Sequence, residues 1–357
     1  MKLLYAYTQE LKDASIRDTR QDVKIFGQLY KFDADAWITD RTRTLNFPFS
    51  EHLLDNNVID DAYRIRSKNI KINFSQAAIE QANDLLDTQL PLYVLWSGGI
   101  DSTAILVAFL QTHRCLDKVT VILNYNSIIE YKLFYELYIK TTLKILVTEE
   151  AMLLMSLDKL DGIIISGEQA DQLVGSTGAV FLEKSSTQLQ DDIFNFVNFH
   201  TICRKKGLDE LSIRCWYELF SSTFNKSPRP INTMFDFAWW YGFNFKWQKG
   251  SVVMYLRAHK NINIQPFYSG LAFQHWSIHY TPELNNIKSE IKDFVFHFTK
   301  DTVYYKNKIK HRSSTLYYAV PASAAINQNH NKIQQKDFSL EDFYNPDNSI
   351  ASWLTKS

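Results

Sequence analysis

The chain has 357 residues, with 39 Lys+Arg against 39 Asp+Glu and 45% hydrophobic content. That length suits a large core and two domains, and the balanced charge gives no global field to attract nucleic acid or an anionic membrane. No run of about 18 apolar residues is present, so no transmembrane helix is predicted.

The opening "MKLLYAYTQELKD" turns polar too soon for a secretory signal, so a cytoplasmic protein is expected. Cys115, Cys203 and Cys215 are widely spaced and form no CxxC pair, which predicts neither a zinc site nor a disulfide framework. Buried small side chains in a reducing compartment are expected instead.

Residues 1–88 read as a small β-containing module, with "KIFGQLY" and "AWITD" as β segments between polar linkers. A helix is predicted from Asn73 to Asp87, where Ala78, Ile79, Ala82, Leu85 and Leu86 share one face. Asn73 and Gln76 have the spacing of a capping box. From residue 92 the pattern alternates. "LYVLW" reads as a short buried strand and "VTVILN", "KILVT" and "GIIIS" as three more strands; "TAILVAFLQTH", "IEYKLFYELYIK" and "EEAMLLMSL" read as the intervening helices. Such alternation predicts an α/β fold with a parallel sheet, and ligands bind such sheets at the carboxyl ends of the strands. Two glycine loops, "SGGIDS" (97–102) and "SGEQAD" (166–171), fall at those ends.

After Gly175 the pattern is mostly helical, with breaks at "NKSPRPIN" (225–232) and "IQPFYSG" (264–270). The aromatic cluster "FDFAWWYGFNFKW" (235–247) lies in an apolar helical segment. It is expected to be a core helix pair rather than a base-stacking platform. The chain from 321 to 357 reads as a polar extension, with a short helix capped by Ser339 and Asp342. The expected division is thus 1–88, 89–320 and 321–357.

A parallel strand that runs into a glycine turn and then a helix is a phosphate site, because backbone N–H groups and the positive helix end face the anion. "SGGIDS" is neither GxxxxGK[ST] nor GxGxxG. The hydroxyls of Ser97 and Ser102 and the N–H groups of Gly98 and Gly99 suit pyrophosphate oxygens. A carboxylate beside phosphates repels them unless a cation lies between, so Asp101 is read as a magnesium ligand, with Asp171 holding the metal from the second loop.

"SGGIDS" resembles the PP-loop of the N-type ATP pyrophosphatases, which cleave ATP between the α- and β-phosphates. "IIISGEQADQLVGS" resembles the asparagine-synthetase signature, in which Ser-Gly-x-Gly-x-Asp-Glu leads to Gly-Gly-Tyr. "PFYSGLAFQHWS" and "YYKNKIKHR" resemble the family's later Pro-Phe/Trp-Ser and lysine-containing segments, so the likeness covers roughly residues 90 to 312. It implies a parallel sheet of PP-loop ATP pyrophosphatase type with helices on both faces, followed by a mostly helical C-terminal part. It also implies ATP and Mg2+. Ser97, Gly98, Gly99, Asp101 and Ser102 then match the pyrophosphate loop, and Gly167, Glu168 and Asp171 match the second signature. By the same resemblance the aspartates bind magnesium and Glu168 positions or deprotonates an attacking amine. Lys306 or Lys310 matches the late lysine, which neutralises charge on the α-phosphoryl group or on an oxyanion.

Three departures stand out: Gln172 replaces the signature's Glu, Gln169 its second Gly, and Gly175-Ser176-Thr177 its Gly-Gly-Tyr. They remove no expected metal ligand and speak against the usual substrate. Full asparagine synthetases begin with a glutaminase whose cysteine follows Met1, but here residue 2 is Lys2 and the first cysteine is Cys115. Glutamine-dependent ammonia supply is therefore not expected. The amine is ammonia, a small amine, an amino group of a larger substrate, or the product of a separate amine-supplying protein. The expected activity is adenylation of a small-molecule carboxylate followed by amide formation. Two other readings stay open. One is a PP-loop enzyme of nucleobase or tRNA modification, against which the lack of cysteine pairs and the balanced charge both count. The other is a non-catalytic nucleotide-binding relative, suggested by Gln172 and Ser176.

Overall fold

The computed structural model describes residues 2–4, 22–25, 28–32, 39–45, 57–147, 160–182, 186–205, 210–247, 263–283 and 286–307. Lys310, the expected helix at 149–157 and the extension from 321 with its Ser339 and Asp342 cap lie outside the described residues. By contact the chain divides into two units, each assembled from separated stretches. One comprises Met1–Ile72, Gln169–Val252 and Phe273–Ser289; the other comprises Asn73–Glu168, Val253–Ala272 and Glu290–Ser357.

The first unit carries a three-stranded sheet of β1 (Lys2–Leu4), β2 (Asp22–Ile25) and β3 (Gln28–Phe32), in the order β1-β3-β2. β1 runs parallel to β3, while β2 and β3 are antiparallel with Ile25 opposite Gln28. The expected single β segment at 24–30 is therefore two strands, and only Phe26 and Gly27 separate them. Residues 36–38 of the second expected segment lie outside the described residues, and Thr39 and Asp40 belong to no strand.

This unit's core is built on the helix Met234–Trp240, which continues into a π-helical turn at Tyr241–Phe245. The aromatic cluster is thus one helical run rather than a helix pair. Phe237, Trp239, Trp240, Phe243, Phe245 and Trp247 are all fully buried, as expected for a core and not for a stacking surface. The helix Ser176–Leu182 packs on it backbone to backbone. A methyl at Gly178 would lie 2.2 Å from the Ala238 carbonyl oxygen, and Gly175 (φ +76°) sits against Trp239. Arg41 is buried against the same run. Its Nε donates to the Asn57 carbonyl (2.7 Å) and one terminal nitrogen donates to the Phe243 carbonyl (3.0 Å). Its guanidinium lies 4.1 Å from the Trp247 ring centroid. Burial lowers its pKa to about 10, so it stays charged at neutral pH, with carbonyl dipoles and ring faces in place of water.

The second unit carries the parallel sheet: β4 (Leu92–Leu95), β5 (Val119–Leu123), β6 (Lys144–Val147), β7 (Ile163–Ser166) and β8 (Ile264–Pro266). The order is β6-β5-β4-β7-β8, and every neighbouring pair is parallel. Four strands lie where the hydrophobic runs place them. The fifth, β8, falls in a segment read as a break; three residues ending in proline carry no period. The helix Phe74–Asp87 has both bonds of the Asn73/Gln76 capping box, and buries Ala78, Ala82, Leu85 and Leu86. Ile79 is only half-buried. The expected helix at 129–140 is interrupted at Tyr131 (φ −144°, ψ 67°) and resumes through a π-helical turn at Tyr135–Ile139. Of the cysteines, Cys203 is buried as expected, whereas Cys115 is exposed. No helix among the described residues is long and apolar enough to cross a membrane.

From the central strand β4 the chain winds outward to β5 and β6, then returns to the other side for β7 and β8. The winding reverses between β4 and β7, and the crevice beyond their carboxyl ends is where such sheets bind ligands.

Candidate functional site

The loop after β4 begins at Trp96, whose indole N–H donates to the Thr103 hydroxyl (3.1 Å). Gly98 then takes φ +75°, and a methyl there would lie 2.4 Å from the Ser127 carbonyl oxygen. Both facts require glycine. Gly99 differs: its φ of −72° and ψ of 158° suit any residue. No backbone strain explains the missing side chain there.

The two hydroxyls of the loop are turned on the loop itself. Ser97 Oγ and Ser102 Oγ lie 3.0 Å apart. The Ser102 hydroxyl accepts from Ser97 N–H and donates to the Gly99 carbonyl, each at 3.1 Å. Gly99 N–H donates to Ser97 Oγ (3.2 Å). These bonds pre-form the turn, a task the sequence did not assign to serines expected to bind phosphate. Two tyrosines tie the loop down from outside. Tyr304 donates to the Gly98 carbonyl (2.8 Å) and Tyr268 to the Asp101 carbonyl (2.6 Å). Tyr304 stacks flat on Tyr131, with centroids 3.5 Å apart. Burial, with the nearby Glu130 carboxylate adding to it, raises the Tyr304 phenol well above its usual pKa. It therefore remains a donor throughout the physiological range.

The helix Ile100–Gln111 starts at this loop, carries Asp101 in its first turn and has no side-chain cap. Four other helix starts are closed by side chains: Asp60, Asn73, Asn124 and Thr233 each accept from a first-turn N–H. At position 99 the chain places a glycine. Gly167, at the end of β7, lies against this helix start. A methyl there would lie 3.4 Å from Ser102 N and 3.6 Å from Asp101 Cβ. The neighbouring Ser166 hydroxyl is buried and has no hydrogen-bond partner among the described residues. The structure thus brings together Ser97, Gly98, Gly99, Asp101, Ser102 and Gly167, with half-buried Glu168 next in the chain.

Asp171 belongs to the first unit. Its Oδ1 is 2.7 Å from the Lys288 ammonium and 2.5 Å from the Ser176 hydroxyl. Among the described residues no group of three or more His, Cys, Asp or Glu is placed to hold a metal. Gln169 has φ +75° and a buried Oε1 with no partner among the described residues. Gln169 thus takes a left-handed conformation that favours glycine, at a cost of about 1–2 kcal/mol. Lys306 is exposed on the helix Thr302–Asn307, two residues beyond the loop-binding Tyr304.

Sequence reasoning missed Tyr268, Tyr304 and Tyr131. The first two lie inside segments singled out for other residues, and no local pattern marks a tyrosine that binds a carbonyl so far away. Comparison with protein-family models and with curated proteins finds no match to this chain.

The open helix start and Gly167 make one prediction. Gly167→Ala adds a methyl at ordinary contact distance, so the melting temperature is expected to stay within about 2 °C of wild type. The methyl crowds the N–H of Ser102, and loss of one hydrogen bond to an anion is expected to weaken pyrophosphate binding about 10- to 100-fold by calorimetry.

Proposed function

We propose that this chain is an ATP-dependent, AMP- and pyrophosphate-forming amide synthetase of the PP-loop ATP pyrophosphatase type, asparagine synthase-like and without a glutaminase. One observation carries the reading: the only glycine of the loop without a conformational reason, Gly99, caps an otherwise uncapped helix at the switch point of a parallel sheet. A backbone left bare at a helix start without a side-chain cap fits the close approach of a phosphate chain.

In this reading the substrate carboxylate attacks the α-phosphorus of ATP, and the α–β bridging bond breaks. The leaving pyrophosphate is held by the start of the helix Ile100–Gln111 and by the Ser97 hydroxyl. Magnesium at Asp101 supplies positive charge to the phosphates when bound. Ser102 keeps the turn in shape, and Tyr268 and Tyr304 keep it in place, so little reorganisation accompanies the reaction. An amine nitrogen then attacks the acyl carbon, AMP departs, and the amine's proton passes to Glu168. Lys306 offsets the charge that develops on the phosphoryl or carbonyl oxygens. The reaction runs in the cytoplasm on free small-molecule substrates.

Carboxylate-dependent exchange of labelled pyrophosphate into ATP tests this. With a panel of amino acids and small organic acids, at least one is expected to support exchange. ATP binding without exchange across the panel would instead assign the chain to the non-catalytic relatives. Bound zinc, or tight salt-dependent tRNA binding, would assign it to nucleobase modification.

A further inference from the structure

Within the first unit, two groups converge on one oxygen of Asp171: its Oδ1 lies 2.7 Å from the Lys288 ammonium and 2.5 Å from the Ser176 hydroxyl. Lys288 differs from an ordinary surface lysine. Its side chain is only 16% exposed, and the backbone on either side is fixed. The buried Tyr280 donates its hydroxyl proton to the Ile287 carbonyl (2.9 Å), and Ser289 N–H donates to the Asn286 carbonyl (3.1 Å). The ammonium is thus presented from an ordered stretch, so the ion pair has little further ordering to impose.

The turn that carries Asp171 suits the same arrangement. Gln172 stands where the resembled signature has Glu, and its Nε2 donates to the Lys246 carbonyl (3.2 Å). An ionised carboxylate only accepts and could not make that bond. Ser176 stands where the signature has a second Gly, and it spends its hydroxyl on Asp171. Both departures therefore install donors. A divalent ion at Asp171 would meet the like charge of Lys288, whereas such ions are held by shells of oxygen ligands.

We propose that Lys288 is the permanent counter-ion of Asp171, in place of a divalent cation, and that the Asp171–Ser176–Lys288 clasp positions the second loop. The chain's magnesium is then held without Asp171. The magnesium itself rests on the synthetase reading; the clasp does not.

The test uses the full chain. Lys288→Glu sets two carboxylates face to face, and glutamate, shorter than lysine, leaves room between them for an ion. Its melting temperature is expected to fall by about 3 °C or more, and Asp171→Lys in the same chain is expected to restore at least about half of that loss. With Asp171 in place, Lys288→Glu is expected to bind one more Mn2+ per chain than wild type, read by paramagnetic resonance of the free ion. An exchanged pair without recovery overturns the proposal, as does a Lys288→Glu chain that gains no Mn2+. Asp171→Asn keeps an oxygen for Ser176, so its fold is not at risk. It is expected to leave the magnesium dependence of pyrophosphate binding within about twofold of wild type by calorimetry. A loss of about tenfold makes Asp171 a metal ligand and also overturns the proposal. Asp101→Asn separates the clasp from the synthetase reading. If that variant keeps the magnesium dependence while the exchanged pair recovers and Mn2+ is gained, the clasp stands and magnesium at Asp101 falls. Loss of the dependence in Asp101→Asn, with no recovery in the exchanged pair, does the reverse.

Discussion

Gly98→Ala is expected to destabilise the protein by about 2–5 kcal/mol, while Gly99→Ala, one residue along, leaves stability unchanged and weakens ATP binding. The two glycines look equivalent in "SGGIDS" but do different work. At Gly98 alanine meets two penalties. The left-handed backbone, φ +75°, costs about 1–2 kcal/mol for a residue with a Cβ. The methyl would also lie 2.4 Å from the Ser127 carbonyl oxygen and 2.8 Å from Glu130 Cβ, and overpacking of that kind costs about 1–3 kcal/mol. At Gly99 the backbone already suits alanine. The new methyl would instead occupy the space a phosphate needs, with an expected loss of about 100-fold in ATP affinity. Urea unfolding reads the first effect and calorimetric titration with ATP reads the second. A Gly99→Ala variant that binds ATP like wild type would falsify the phosphate assignment outright.

Asp101→Ala is expected to reduce carboxylate-dependent exchange about 1,000-fold in the presence of magnesium, with a stability change of only about 0.3–1 kcal/mol from the lost first-turn carboxylate. The sign of a second measurement decides why. A carboxylate about 4 Å from a phosphate in surroundings of intermediate dielectric repels it by about 4 kcal/mol. Without magnesium, Asp101→Ala should therefore tighten pyrophosphate binding, by at least about tenfold after solvent screening. With magnesium the same change should weaken it. If removing Asp101 strengthens binding in both conditions, the residue is no metal ligand. If it changes neither, the carboxylate lies too far from the phosphates to matter.

The parallel sheet was legible because β4, β5 and β7 are buried apolar runs and β6 a partly buried one, punctuated by polar or glycine residues, and the Asn73/Gln76 capping box is a purely local signal. β8 was not legible: it is held by pairing of Ile264 with Ile164 and Gln265 with Ile165, which no window of sequence contains. Gly98 could be suspected from its neighbours, but the carbonyl it must avoid belongs to Ser127, on another element. Hydroxyls near a glycine turn suggest a ligand, but their bonds to each other and to the turn are not legible in the six residues of the loop. Nor does a motif containing Asp171 show its contacts with Ser176 and with Lys288, a lysine more than a hundred residues downstream.

The tyrosine clamps have a consequence for how the protein is made. Tyr268 and Tyr304 reach loop carbonyls 167 and 206 positions back along the chain. The strand β8 that precedes Tyr268 joins its sheet only after the intervening first-unit stretch Gln169–Val252 has been synthesised. Contacts of such sequence separation carry the loop-closure entropy of everything between them and form late. During synthesis the β4 strand and its glycine turn precede both of the hydroxyls that pin the turn. A growing chain therefore carries the Ser97–Ser102 loop unpinned until Tyr268 and Tyr304 have been made, and the loop is held at both carbonyls only when the helix Thr302–Asn307 docks.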